Sequence, residues 1–207
     1  DVYEKNNGEI VYEEDFDPED TDFRTALLKL QAILAKNPET LVYIAAQTPD
    51  QSYAFFKQMK ELGIKAQIVG EFVALAPKTY HLTDGFIKGA LFGMPYSDPA
   101  ESAIFQKALQ SYEEKHGEKL QWALNHFANA YDVPYIFKQI IEACGSTEPV
   151  CIKKQLDNLQ YSGASGKYNF GAHGDPSNIR IGVSVLGEEG VPSWLKDEKG
   201  EVILFGD

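Results

Sequence analysis

Apolar residues recur along this chain in two alternating rhythms, a helical period and short unbroken runs, and the alternation predicts the architecture. Phe23, Ala26, Leu27, Leu30, Ile33 and Leu34 keep helical spacing until Asn37-Pro38 ends the run. Residues 41–46, LVYIAA, form a continuous apolar run of the kind buried on both faces of a parallel sheet. Thr48-Pro49-Asp50-Gln51 then supplies an N-cap, a proline at the first helical position, an acid in the first turn and a capping-box glutamine. That helix is carried by Tyr53, Phe56, Met59 and Leu62 to a C-cap at Gly63. Residues 64–69 read as a strand ending at Gly70, residues 80–87 as a weaker helical segment, and residues 90–94 as a further strand. Ser97-Asp98-Pro99-Ala100-Glu101 repeats the cap, proline and acid pattern and opens a helix through Ile104, Phe105, Ala108, Leu109 and Tyr112 to Gly117.

At the start, residues 2–5 read as the end of a helix, Asn6-Asn7-Gly8 as its stop and residues 9–14 as a strand, so the domain reads as cut there. Beyond Gly117, residues 122–144 make one long helical pattern that Pro134 is expected to kink, and residues 150–159 make a second. Short strands follow at 167–170, 179–186 and 202–205. Strands separated by helices in this rhythm predict an α/β fold with a right-handed, doubly wound sheet as a three-layer sandwich, because parallel strands need crossovers and helices cover both faces.

Charge narrows the functions. The net charge of -12 over 207 residues, with no basic cluster, excludes a nucleic-acid partner, whose phosphates require clustered Lys and Arg. The apolar runs are all too short to cross a bilayer, and the start shows neither n-region nor h-region. Cys144 and Cys151 flank Gly-Ser-Thr-Glu-Pro, turn chemistry that can bring their Cβ atoms within bridging distance. A disulfide there implies an oxidising compartment, and two free buried thiols are the alternative.

No catalytic residue and no metal site assembles. Ser162-Gly163-Ala164-Ser165-Gly166 lacks the glycine spacing of a nucleophile elbow and reads as a turn between a helix and a strand. His81, His116, His126 and His173 form no paired metal motif. The acids from Glu13 to Asp22 lack calcium-loop spacing and read as a solvated loop. What remains is the crevice beyond the carboxyl ends of the strands, where ligands of open α/β sheets bind. Gln47 and Thr48 can hydrogen-bond there, Glu71 can pair with a cation, and Phe72 and Tyr96 can wall or stack against a ligand. The helix starting at Thr48 also favours a partly negative ligand atom.

The order of FDPEDTDFRTALLKLQAI, LVYIAAQTPDQSYAFFKQMKELGIKAQIVGE, FANAYDVPYIFKQIIEACGSTEPVCIKKQL and YSGASGKYNFGAHGD resembles the type I periplasmic binding proteins, in particular the leucine/isoleucine/valine-binding branch. The resemblance implies two Rossmann-like lobes that trap a small metabolite, an amino acid or a related carboxylic acid or amide, for delivery to an ABC transporter permease. It implies a periplasmic or extracellular location, no enzymatic activity and no cofactor. A ligand-sensing domain of a receptor or regulator with the same fold is the alternative. On this template residues 1–118 and 177–207 build the C-terminal lobe, and residues 119–176 are an excursion into an N-terminal lobe that is otherwise missing. Phe127, Tyr131, Ile136, Ile140 and Leu156 are then expected to leave apolar area uncovered, which favours a partner chain, such as a second copy in a homodimer, or rearrangement. In amino-acid-binding members an aromatic residue before the proline and a Glu after the next strand hold the ligand's ammonium group. Here those positions carry Gln47 and Phe72, with Glu71 one residue earlier.

Overall fold

The computed structural model describes residues 2–46, 48–96, 98–171, 174–175 and 179–205, the side chains of 2 and 3 excepted. They form two units, Asp1–Gly93 with Ser184–Ser193, and Met94–Val183 with Trp194–Asp207. The first contains α1 (Val2–Lys5), α2 (Arg24–Leu34), β1 (Val42–Ile44), α3 (Pro49–Glu61), β2 (Ile68–Gly70), α4 (Pro77–Leu82) and the start of β3 (Leu91–Pro95). β1 pairs with β2, and β2 with β3, both in parallel, so the expected β-α-β-α-β winding is present.

Apolar spacing explains the first unit's core. Ala26, Leu27, Leu30 and Leu34 are the buried stripe of α2, and Phe55, Phe56 and Met59 that of α3. Phe16, Phe23, Phe55 and Phe56 meet in series edge to face, with centroids 5.0, 5.6 and 5.5 Å apart. The buried Gln58 amide closes the entry to α2, accepting from Phe23 N at 2.8 Å and donating to Thr21 O at 2.7 Å. A buried side-chain amide needs such partners, and both ends have one.

Two expectations for this unit are corrected. Residues 9–14 form no strand: β1 is the edge of its sheet, and a strand exists only where a neighbour completes its hydrogen-bond ladder. The weak helix expected over 80–87 is displaced to Pro77–Leu82, because Pro77 takes the first helical position and Asp84 and Gly85 turn left-handed, at φ 50 and 71°.

The second unit holds α5 (Ala103–His116), α6 (Leu124–Cys144), α7 (Pro149–Asp157), β4 (Tyr161–Gly163), β5 (Gly166–Tyr168), the start of β6 (Ile181–Leu186) and β8 (Leu204–Phe205), the last antiparallel to β6. Between them in sequence, β7 (Pro192–Trp194) ends at the start of this unit's last segment. The cap expected at 97–101 makes only one 3-10 turn, Pro99–Glu101, with Asp98 accepting from Ala100 N at 2.8 Å. α5 begins later because Ser102 is its real N-cap, accepting from Phe105 N at 3.2 Å. α6 is continuous through Pro134, which lies on its exposed side. The sulfurs of Cys144 and Cys151 are bonded, with Cα atoms 6.0 Å apart, and join the end of α6 to α7.

The turn at 162–166 links two strands rather than a helix and a strand, since β4 and β5 form an antiparallel hairpin around Ala164-Ser165. The apolar residues expected to lie uncovered are packed. Ile136 and Ile140 are buried with Leu159 under Leu156, Ile152 and Phe170, while Phe127 and Tyr131 lie against Phe105, Ala128 and Ala164. The uncovered stripe of α6 is a different one, Val133, Phe137 and Ile141, because α7 and the hairpin already cover the Ile136 and Ile140 side.

Candidate functional site

Ile44 lies opposite Gly70 in the parallel β1/β2 ladder, so the loops leaving the two strands start side by side. The Glu71 N–H donates to Ile44 O at 3.2 Å and ties the second loop to the first. A Cβ on Gly70 would sit 3.3 Å from that carbonyl and 3.3 Å from Leu75 Cγ, so glycine is what lets the backbone pass this closely.

Thr48 is extended at φ -138°, and its hydroxyl accepts from Gln51 N at 3.2 Å as the N-cap of α3. A hydroxyl that accepts one bond still carries a proton to donate. The neighbouring Asp50 carboxylate holds Lys78 Nζ, from the first turn of α4, at 2.7 Å. Gln47 lies outside the described residues.

Glu71 uses both carboxylate oxygens locally. Oε2 accepts from Val73 N at 2.7 Å and Oε1 from Ala74 N at 2.6 Å, curling the loop over the buried Ala74 and Leu75. Charge-assisted bonds of this length are about twice as strong as neutral ones, so the carboxylate shapes the loop. Phe72 rides on that loop half-buried, its ring 6.4 Å from the buried Phe92.

In the second unit Tyr96 is enclosed by polar and aromatic partners. Its hydroxyl donates to Glu101 Oε1 at 3.0 Å, the Arg180 guanidinium lies 4.7 Å from its ring centre, and the Trp194 ring 5.0 Å away. Arg180 also bonds Glu101 Oε2 at 2.9 Å. Burial first, then the bond to Glu101 and the charge of Asp98, hold the Tyr96 phenol well above its ordinary pKa.

Sequence reasoning missed Asp132 in the second unit. This α6 residue is 1% exposed and accepts from Tyr161 OH at 3.1 Å, Ala164 N at 2.8 Å and Ser165 N at 2.8 Å, and also from the Ser165 hydroxyl. A lone acid among the apolar residues of FANAYDVPYIF was the available signal, because a buried carboxylate must be paired or hydrogen-bonded. Burial, followed by the Asp132 charge, pushes the Tyr161 phenol up to about 12. Among the described residues no group of three or more His, Cys, Asp and Glu could hold a metal, and no helix is long and apolar enough to cross a membrane. His173 is outside the described residues.

A family model described as periplasmic binding protein matches residues 1–178. No curated protein matches the chain. Among solved structures, the leucine binding protein LivK of Thermotoga maritima superposes with a TM-score of 0.73 at 23% identity, covering 92% of this chain and 50% of that one. LivJ of Streptococcus pneumoniae, a branched-chain amino acid transporter substrate binding protein in complex with isoleucine, gives 0.74 at 22% identity, covering 99% and 55%. A solute binding protein of an ABC transporter from R. palustris, in complex with benzoate, gives 0.73 at 15% identity, covering 99% and 54%. At these identities the likeness is one of fold, and this chain spans about half the length of the structures it matches.

Proposed function

This chain belongs to the periplasmic binding protein family, and from that premise we propose that it is the C-terminal portion of the extracytoplasmic solute-binding component of an ABC transporter. The family is one of binding proteins, so capture rather than chemistry is its work. The cargo on this reading is a small metabolite, an amino acid or a related carboxylic acid or amide. Structures of the same fold with isoleucine and with benzoate support that range. Residues 1–118 and 177–207 contribute the C-terminal lobe and residues 119–176 the excursion into its partner lobe. A membrane permease receives the solute, outside the cytoplasm.

The observation that carries this reading is the pair of adjoining loops after β1 and β2, held side by side by the Glu71 to Ile44 bond. Gln47, Thr48 and Phe72 meet the solute from there, and Glu71 fixes the loop that presents Phe72. Affinity then follows how much better the solute fits the closed clamp than the open one. The test is titration calorimetry of the full-length protein against amino acids and organic acids. One solute per protein is expected, and a panel that produces no binding heat overturns the proposal.

A further inference from the structure

We infer that Asn7 is a site of spontaneous covalent modification, its side-chain amide closing onto the Gly8 nitrogen and leaving an aspartate or an isoaspartate. Asn7 is exposed in the turn that follows α1, its backbone is left-handed at φ 65°, and the next residue is a glycine. In the first stage the Gly8 nitrogen attacks Asn7 Cγ. An N–C bond forms, the bond from Cγ to its NH₂ group breaks, and the proton of the attacking nitrogen leaves with that group as ammonia. In the second stage the cyclic imide takes up water at either carbonyl. Opening at one restores a normal aspartyl link, and opening at the other routes the main chain through the side-chain methylene. Exposure gives water and hydroxide access to both stages, and glycine has no Cβ to crowd the attacking nitrogen. The ring closes only after the Asn7 backbone turns out of its present conformation, and a non-glycine residue gives up a sterically costly state when it leaves the left-handed region.

Other positions with related chemistry are held back by bonds the structure contains. The nitrogen that Asn6 would need is Asn7 N, and it donates to Glu4 O at 3.0 Å. Leu159 N, which follows Asn158, donates to Leu156 O at 3.1 Å, and Asn37 precedes Pro38, which has no N–H. Asp84-Gly85 is also left-handed, at φ 50 and 71°, but Gly85 N donates to Tyr80 O at 2.9 Å and Lys60 Nζ lies 2.9 Å from the Asp84 carboxylate. The bond from Lys60 and its charge hold that carboxyl below the usual carboxylate range, and an ionised carboxylate is a poor target for a nucleophile. The Asn7 amide is neutral and carries no such protection. Its conversion adds one negative charge to the chain, ahead of Phe16 and Phe23, where the packed core of the first unit begins.

The experiment incubates the full-length protein in mildly acidic and in mildly alkaline buffer and follows its proteolytic peptides by mass spectrometry. The peptide holding Asn7 is expected to lose its amide ahead of those holding Asn37 and Asn158, and faster in the alkaline buffer, because the attacking nitrogen must give up its proton. By ion exchange the converted protein should elute where Asn7→Asp elutes. Gly8→Ala should slow the loss, since a Cβ then crowds the nitrogen, and Asn7→Gln should abolish it at this position, since the longer side chain closes a less favoured ring. An Asn7 that keeps its amide throughout, an Asn37 or Asn158 that converts first, or an undiminished rate in Gly8→Ala each overturns the inference. The step needs no solute, so none of these outcomes bears on solute capture.

Discussion

Asp132 is buried and accepts four hydrogen bonds from Tyr161, Ala164 and Ser165, and its environment makes two predictions. Gly163 passes so close that a Cβ there would overlap the Asp132 carboxylate, so the hairpin is seated directly on the acid. Asp132→Asn keeps one acceptor but turns an NH₂ group toward amide donors that need an acceptor. It is expected to lower stability by about 2 kcal/mol, read as a shift of the urea midpoint by circular dichroism. An unchanged midpoint contradicts the role given to the carboxylate. The second concerns Tyr161, whose phenol is raised to about 12, first by burial and then by the Asp132 charge. The folded state therefore keeps a proton that the unfolded state releases near pH 10. Its stabilising contribution is complete below pH 10 and is lost as pH rises toward 12. Stability should fall more steeply across that window in the parent protein than in Tyr161→Phe, as followed by denaturant titration at stepped pH. Neither residue stood out beforehand, because their partners lie 29 to 33 positions away in sequence. Glu71 was legible as a charged residue in the loop after β2, yet its commitment to Val73 and Ala74 depends on how that loop curls.

Elements with local signals were the ones the sequence disclosed well. The Thr48-Pro49-Asp50-Gln51 pattern predicted the start of α3, and the helix begins at Pro49 with the Thr48 cap bond made. Thr48→Ala should cost about 1 kcal/mol of stability by the same denaturant assay, the usual worth of a helix N-cap. The turn chemistry between Cys144 and Cys151 likewise predicted a bond that the structure contains. Closing so short a loop restricts the unfolded chain by about 2.5 kcal/mol at 25 °C. A Cys144→Ser/Cys151→Ser variant should therefore melt lower, and reductant should lower the melting temperature of the parent but not of the variant. Strands fared worse, since a strand depends on what lies beside it. Residues 9–14 have the composition of a strand and no ladder, while Tyr161–Gly163 became a strand only because Gly166–Tyr168 folds back on it. The 3-10 turn at Pro99–Glu101 shows that one good cap signal, Asp98, can be followed four residues later by a better one, Ser102.

At the scale of the whole chain, winding and charge were legible and the covered faces were not. Alternating strands and helices specified the parallel β1, β2 and β3, but α6 carries more than one apolar stripe, and sequence cannot say which of them α7 and the hairpin will take. Val133, Phe137 and Ile141 are left 48, 43 and 36% exposed on α6, with Val150 at 84% on α7. These side chains supply attraction between molecules, and the net charge of -12 opposes it near neutral pH. That opposition vanishes near the isoelectric point of about 4.8, so solubility should pass through a minimum there. Phe137→Lys/Ile141→Lys removes apolar area from the exposed stripe of α6, and circular dichroism is expected to show that the variant stays folded. Measured by light scattering at matched distance from its own isoelectric point, that variant should show a shallower minimum. Equal depth in the two proteins would mean that the exposed stripe of α6 does not drive the association.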